Sequence, residues 1–213
     1  MKSKTIAILC ALALVMILVS GCSSPQNSSS EFNSSDIELE NSEYKEALST
    51  KIYTLDQKFL KLGGLSPEEY ARDLVKTFGE ESFVNIVAHD DSVSVELTED
   101  QRQELVENII RQVEYLDFEF GEIDENYHFL AKENYSVVDI YYDLNLSPYN
   151  VGYYILHAEW LCAEIQIFSG ADEWYVEINV YNANTGKLVA TGDSEHNVKY
   201  NEEDWIRSET PDE

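Results

Sequence analysis

Residues 147–168, SPYNVGYYILHAEWLCAEIQIF, decide how the second half of this chain is built. Ser147-Pro148 can open a helix, and Val151, Tyr154, Ile155 and Ala158 fit a helical face. The second part alternates instead, placing Leu161, Ala163, Ile165 and Ile167 on one side of a strand. The flanking segments are rich in Tyr and β-branched residues. On that ground most of 147–160 reads as strand, and 161–168 as another.

The pieces on either side read as β. Tyr127–Ala131 is a predicted strand, and Ser136–Leu144 alternates with Val138, Ile140, Tyr142 and Leu144 together. Glu173–Tyr181 places Trp174, Val176, Ile178 and Val180 opposite Glu173, Tyr175, Glu177 and Asn179. Asn184-Thr185-Gly186-Lys187 then turns into Leu188–Thr191. Asp117–Ile123 reads as one more strand. The result is an antiparallel meander from about residue 117 onward.

Helical spacing dominates the first half. Tyr44, Leu48, Ile52, Leu55, Phe59 and Leu62 recur in steps of three and four, predicting a helix over 41–62 that Gly63-Gly64 closes. Ser66-Pro67-Glu68-Glu69 is a capping box with Pro in the first turn. It opens a helix that carries Tyr70, Leu74 and Phe78 inward. Phe83–Leu97 reads as two short strands around Asp90-Asp91. Thr98-Glu99-Asp100-Gln101 caps a long helix with Leu105, Ile109, Val113 and Leu116 on one face.

Helices followed by a curved antiparallel sheet make an α+β domain. Helix, helix, β, helix and meander, with the segments 61–69, 97–101 and 115–123, resembles the NTF2-like (cystatin-like) cone of uncharacterised Gram-positive lipoproteins. That resemblance implies N-terminal helices packed on one curved antiparallel sheet. The hairpin Trp174–Val189 is similar to a PepSY-type repeat, which would imply a peptidase-inhibitor module. Neither likeness carries catalytic residues onto this chain.

The N-terminus holds the sharpest motif. Lys2 and Lys4 precede an apolar run from Ile6 to Val19, shorter than the roughly 20 residues a spanning helix needs. Val19-Ser20-Gly21-Cys22 follows, and resembles a bacterial lipobox. The resemblance implies a signal peptide over 1–21 and a diacylglycerol on Cys22. It also implies a protein held at the extracytoplasmic face of the cell membrane, with the lipid bilayer as its first partner. Residues 22–40 are Ser-rich and read as a tether, 41–200 as one domain, and 201–213 as a disordered acidic tail.

Charge narrows the partners. The chain has 41 acidic residues and 14 basic ones, net −27; loss of Lys2 and Lys4 with the signal gives −29. Nucleic acid is excluded as a partner by such a field, and a basic protein or peptide suits it. Cys10 leaves with the signal and Cys22 takes lipid, so Cys162 stands alone as a buried thiol.

No catalytic constellation or cofactor motif emerges. His89, His128, His157 and His196 lack zinc-ligand spacing, and a His157–Cys162 dyad fails because five steps along a strand oppose the two side chains. The acidic run Asp117–Glu125 lacks the ligand spacing and central glycine of a calcium loop. Aromatic residues are the remaining lead. Tyr142, Tyr154, Trp160, Trp174 and Tyr181 are the expected contacts for a ligand or partner on a non-catalytic binding face. The competing expectation is an NTF2-like enzyme, with His157 and a buried Asp139 inside the cone.

Overall fold

A computed structural model describes residues 49–132 and 134–209, all within one compact unit. The lipobox, Cys22 and the tether lie outside the described residues.

The first described element is a strand, β1 (Thr50–Leu55), where helical spacing had predicted a helix over 41–62. Its Thr-Lys-Ile-Tyr-Thr-Leu composition favours extended backbone, and Tyr53 and Leu55 alternate into the core. Among the described residues the first helix is α1 (Gln57–Gly63), where the Asp56 carboxylate accepts the Phe59 amide at 2.8 Å. Gly64 ends it at φ +63°, a left-handed conformation glycine adopts without steric penalty.

The two predicted capping boxes are both formed. Ser66 and Glu69 open α2 (Pro67–Phe78), and Thr98 and Gln101 open α3 (Glu99–Gly121). Between these helices, β2 (Asn85–Ala88) and β3 (Val93–Thr98) join β1 in a three-stranded antiparallel sheet of order β1-β3-β2. Helix α3 continues through Asp117–Gly121, which had read as strand. Leu116 and Phe120 are four residues apart and buried on the same face as Ile109 and Val113.

The second sheet has the order β4-β5-β6-β7, from β4 (His128–Lys132), β5 (Val137–Tyr142), β6 (Glu177–Asn182) and β7 (Leu188–Asp193). Asn134 and Tyr135, both at positive φ (56° and 67°), lie in the loop joining β4 to β5. Between β5 and β6 lies one helix, α4 (Pro148–Phe168), in place of the strands predicted over 147–168. Because α4 carries the chain back to the same end, β5 and β6 pair in parallel, and the sheet is mixed rather than an antiparallel meander.

Helix α4 hid its period because its second half is buried nearly all round. Ala158, Leu161, Cys162, Ala163, Ile165, Ile167 and Phe168 are each at most 6% exposed. Helices α1 and α3 and strands β1 and β5 pack against it, so the core of both sheets meets on this helix.

The expected acidic tail contributes a last helix, α5 (Glu202–Glu209). The Asn201 side chain accepts the Glu203 and Asp204 amides, while Asp204 accepts the Asn201 amide. Trp205 is 1% exposed, with its ring edge-on to Tyr142 at 5.1 Å. The fold is therefore α+β with two sheets, in place of the single curved antiparallel sheet behind N-terminal helices.

Candidate functional site: the open face of the second sheet

Alternation along β5 and β6 divides the second sheet into two faces. Val138, Ile140 and Tyr142 on β5, with Ile178, Val180 and Asn182 on β6, point to the side of α4 and α5 and are buried. The other face carries what remains, and the register arranges it in rows.

One row runs His128, Tyr141, Tyr181, Leu188 across β4 to β7. The parallel register sets Tyr141 beside Tyr181, stacked at 4.8 Å with 12° between the rings. His128 meets Tyr141 edge-on at 6.5 Å. A bulge at Val180/Tyr181 brings Leu188, not Val189, opposite Tyr181, and leaves Leu188 51% exposed.

The next row is Leu130, Asp139, Asn179 and Thr191. Asp139 is 3% exposed and accepts hydrogen bonds from Lys132 Nζ and from Asn179 Nδ2 (3.3 Å). Asn179 Nδ2 also donates to Glu177 at 3.0 Å. Lys132 answers the buried charge, and its bond to Asp139 holds the ammonium above its ordinary range. Burial, then the Asp139 carboxylate, pushes the Tyr181 hydroxyl up, so that phenol stays protonated at neutral pH.

Within this polar seam both oxygens of Asp139 are paired, one with Lys132 and one with Asn179. The aromatic row beside it is bordered by the exposed Leu130 and Leu188.

Of the five expected contact residues, only Tyr181 lies here. Tyr142 is on the opposite side, donating its hydroxyl to Tyr200 at 2.7 Å. Tyr154, on α4, packs on Phe120 at 4.8 Å. Trp160 and Trp174 share Phe59, at 4.3 and 6.3 Å, and Lys58 Nζ stands 4.4 Å over the Trp174 ring. The structure thus brings the two tryptophans together and separates them from Tyr181. Tyr141 and His128, the partners of Tyr181, were not singled out because a parallel register cannot be read from alternation alone.

His157 and Asp139 are not brought together. His157, on α4, packs edge-on to Tyr153 at 5.4 Å, whereas Asp139 faces Lys132 on the open face. His157 and Cys162 sit five residues apart on a helix, about 140° around its axis. Burial pushes the Cys162 thiol up to about 12, far from the thiolate a nucleophile needs. Asp117, from the acidic run, accepts the Phe129 amide at 2.7 Å. Among the described residues no three His, Cys, Asp or Glu side chains converge as metal ligands.

Sequence reading also passed over two carboxyls buried on α4, Glu159 and Glu164. Their signal was an acid set inside an otherwise apolar run, informative once that run is seen as helix.

No family model, curated protein or solved structure matches this chain.

Proposed function

We propose that this chain is a lipid-anchored accessory module on the extracytoplasmic face of a cell membrane, without catalytic activity, that docks a basic protein or peptide on the open face of its second sheet. The observation that carries the reading is the aromatic row of the exposed His128 and the half-buried Tyr141 and Tyr181, bordered by the exposed Leu130 and Leu188. The partner's charge follows from the chain's net −27, which would repel an acidic surface and attract a basic one. The lipobox ending in Cys22 supports the anchor, and two acyl chains would hold it stably. The reading rests on the motif and the sheet face, not on the NTF2-like or PepSY-like resemblance.

The test is crosslinking of the native protein on intact cells, with Tyr141→Ser/Tyr181→Ser as the face variant. Tyr115→Ser, on the exposed side of α3, is the control. A stoichiometric basic partner kept in the control and lost in the face variant is the expected result. No stoichiometric partner, or one indifferent to the face variant, refutes the docking reading. Loss of labelled palmitate incorporation in Cys22→Ala tests the anchor separately.

A further inference from the structure

A groove of about 470 Å³ opens away from the aromatic row, between the first half of α4 and the segment after β7. Val151, Ile155, Leu156 and Glu159 line one wall; their spacing of four, five and eight residues from Val151 places them on one helical face. Asp193, Asn197, Lys199 and Tyr200 line the other wall.

Two observations mark this groove as built for an occupant. The first is Glu159. It is 8% exposed, and its Oε1 has no hydrogen-bond partner. A buried carboxyl oxygen left unpaired is destabilising, and no hydrogen bond among the described residues relieves it. Burial pushes the carboxyl up to about 7; Asp193 adds to this and Lys58 opposes it. Lys58 is engaged elsewhere, over the Trp174 ring and with Glu195 at 3.7 Å. The second is Gly152, inside α4 and lining the same groove, where an added Cβ would meet nothing within 4 Å. Glycine in a helix interior is less favourable than alanine, and no packing at Gly152 requires it. What it does is leave the groove wide.

Asp193 supplies the charge. It accepts the amides of Glu195 (2.7 Å) and His196 (2.8 Å) and faces the His196 ring nitrogen Nδ1 at 3.1 Å, contacts that hold its carboxyl below the ordinary range. Two carboxyls against the one ammonium of Lys199 in the lining favour a cation over an anion, and a neutral aliphatic chain brings no donor to Glu159. The volume falls in the usual range for small-ligand sites, roughly 300–1,000 Å³.

We infer that this groove binds a cationic nitrogen carried on an apolar stem, as an aliphatic amine or a basic side chain presents it, with Glu159 and Asp193 receiving the nitrogen. The site uses the inner side of the sheet edge, so it stands or falls independently of docking on the aromatic row.

The probe is n-hexylammonium, with n-hexanol and hexanoate as matched controls, titrated into the purified full chain by calorimetry. Isotope-edited amide spectra locate the site. Hexylammonium is expected to bind, shifting residues 151–159 and 193–200, and hexanol and hexanoate at least tenfold more weakly. Glu159→Gln should weaken hexylammonium about tenfold, the factor one charge-assisted hydrogen bond supplies. Gly152→Leu should abolish binding while raising thermal stability, since leucine favours the helix and meets open space. Equal binding of hexanol and hexylammonium overturns the inference. So does undiminished binding in a folded Gly152→Leu variant, or no binding at millimolar hexylammonium.

Discussion

Glu164→Gln should flatten the dependence of stability on pH. Glu164 is 5% exposed on α4, with the Tyr70 hydroxyl donating to it. Burial raises its carboxyl from 4.5 to about 7, and the Tyr70 bond opposes that rise. Below pH 4.5 the native and unfolded chains both hold this proton, and the group imposes no penalty. Between 4.5 and 7 only the native chain keeps it, so stability falls as pH rises. Above about 7 the native carboxyl ionises too, and the loss levels off at about 3 kcal/mol, from about 1.4 kcal/mol per pH unit. Glutamine keeps an acceptor for Tyr70 and removes the titration. Any cost of burying its amide is the same at every pH. Urea unfolding of both proteins from pH 4.5 to 8.5 gives the difference directly, and the other acidic residues cancel in it. The variant should gain on the wild type by about 3 kcal/mol across this range, most of it between pH 5 and 7. A difference constant within about 0.5 kcal/mol, near the ordinary scatter of surface substitutions, would refute the claim that Glu164 is folded in with its proton.

Gly63→Ala should destabilise despite alanine's better helix propensity, because the new Cβ would clash with the Trp160 ring. Overpacking of this kind costs about 1–3 kcal/mol, and Gly63→Ala with Trp160→Leu should recover part of it in thermal melts. Trp205→Ala should cost about 3–5 kcal/mol, the range for large aromatic truncations in a core. An unchanged urea midpoint would mean that α5 adds nothing to the fold. Cys162, with its thiol held up at about 12, should resist alkylation at pH 8 until the protein unfolds, as read by peptide mass spectrometry.

Local chemistry made part of this fold readable. The boxes Ser66/Glu69 and Thr98/Gln101 mark helix starts because the residues that satisfy orphan amides are adjacent in sequence. Strands β4, β5 and β6 are readable as alternation wherever one face is buried. The first half of α4 did carry a helical signal in Ser147-Pro148 and the spacing of Val151, Tyr154, Ile155 and Ala158, outweighed by its β-rich flanks. The second half, buried nearly all round, imitates a strand. With α4 misread, the parallel pairing of β5 and β6 was out of reach, and so were the Tyr141–Tyr181 stack and the importance of Glu159. At the C-terminus Asn201 and Asp204 carry an N-terminal capping signal, outweighed by a composition that reads as a solvated tail.

The parallel pair also sets an order of events for the growing chain. The β4–β5 hairpin closes over a few residues and needs nothing beyond itself to start. The partner for the other edge of β5 begins at Glu177, 35 residues after Tyr142. At about 5–20 residues per second, that partner follows about 2–7 s later in a chain made from its N-terminus. During that interval Val138 and Ile140 line a strand with one bare edge, and the second half of α4 is apolar apart from Glu159, Glu164 and Gln166. Both are surfaces on which unfinished copies can pair with one another. Expression yield should therefore depend on how fast residues 143–182 follow β5, more than on the stability of the finished protein.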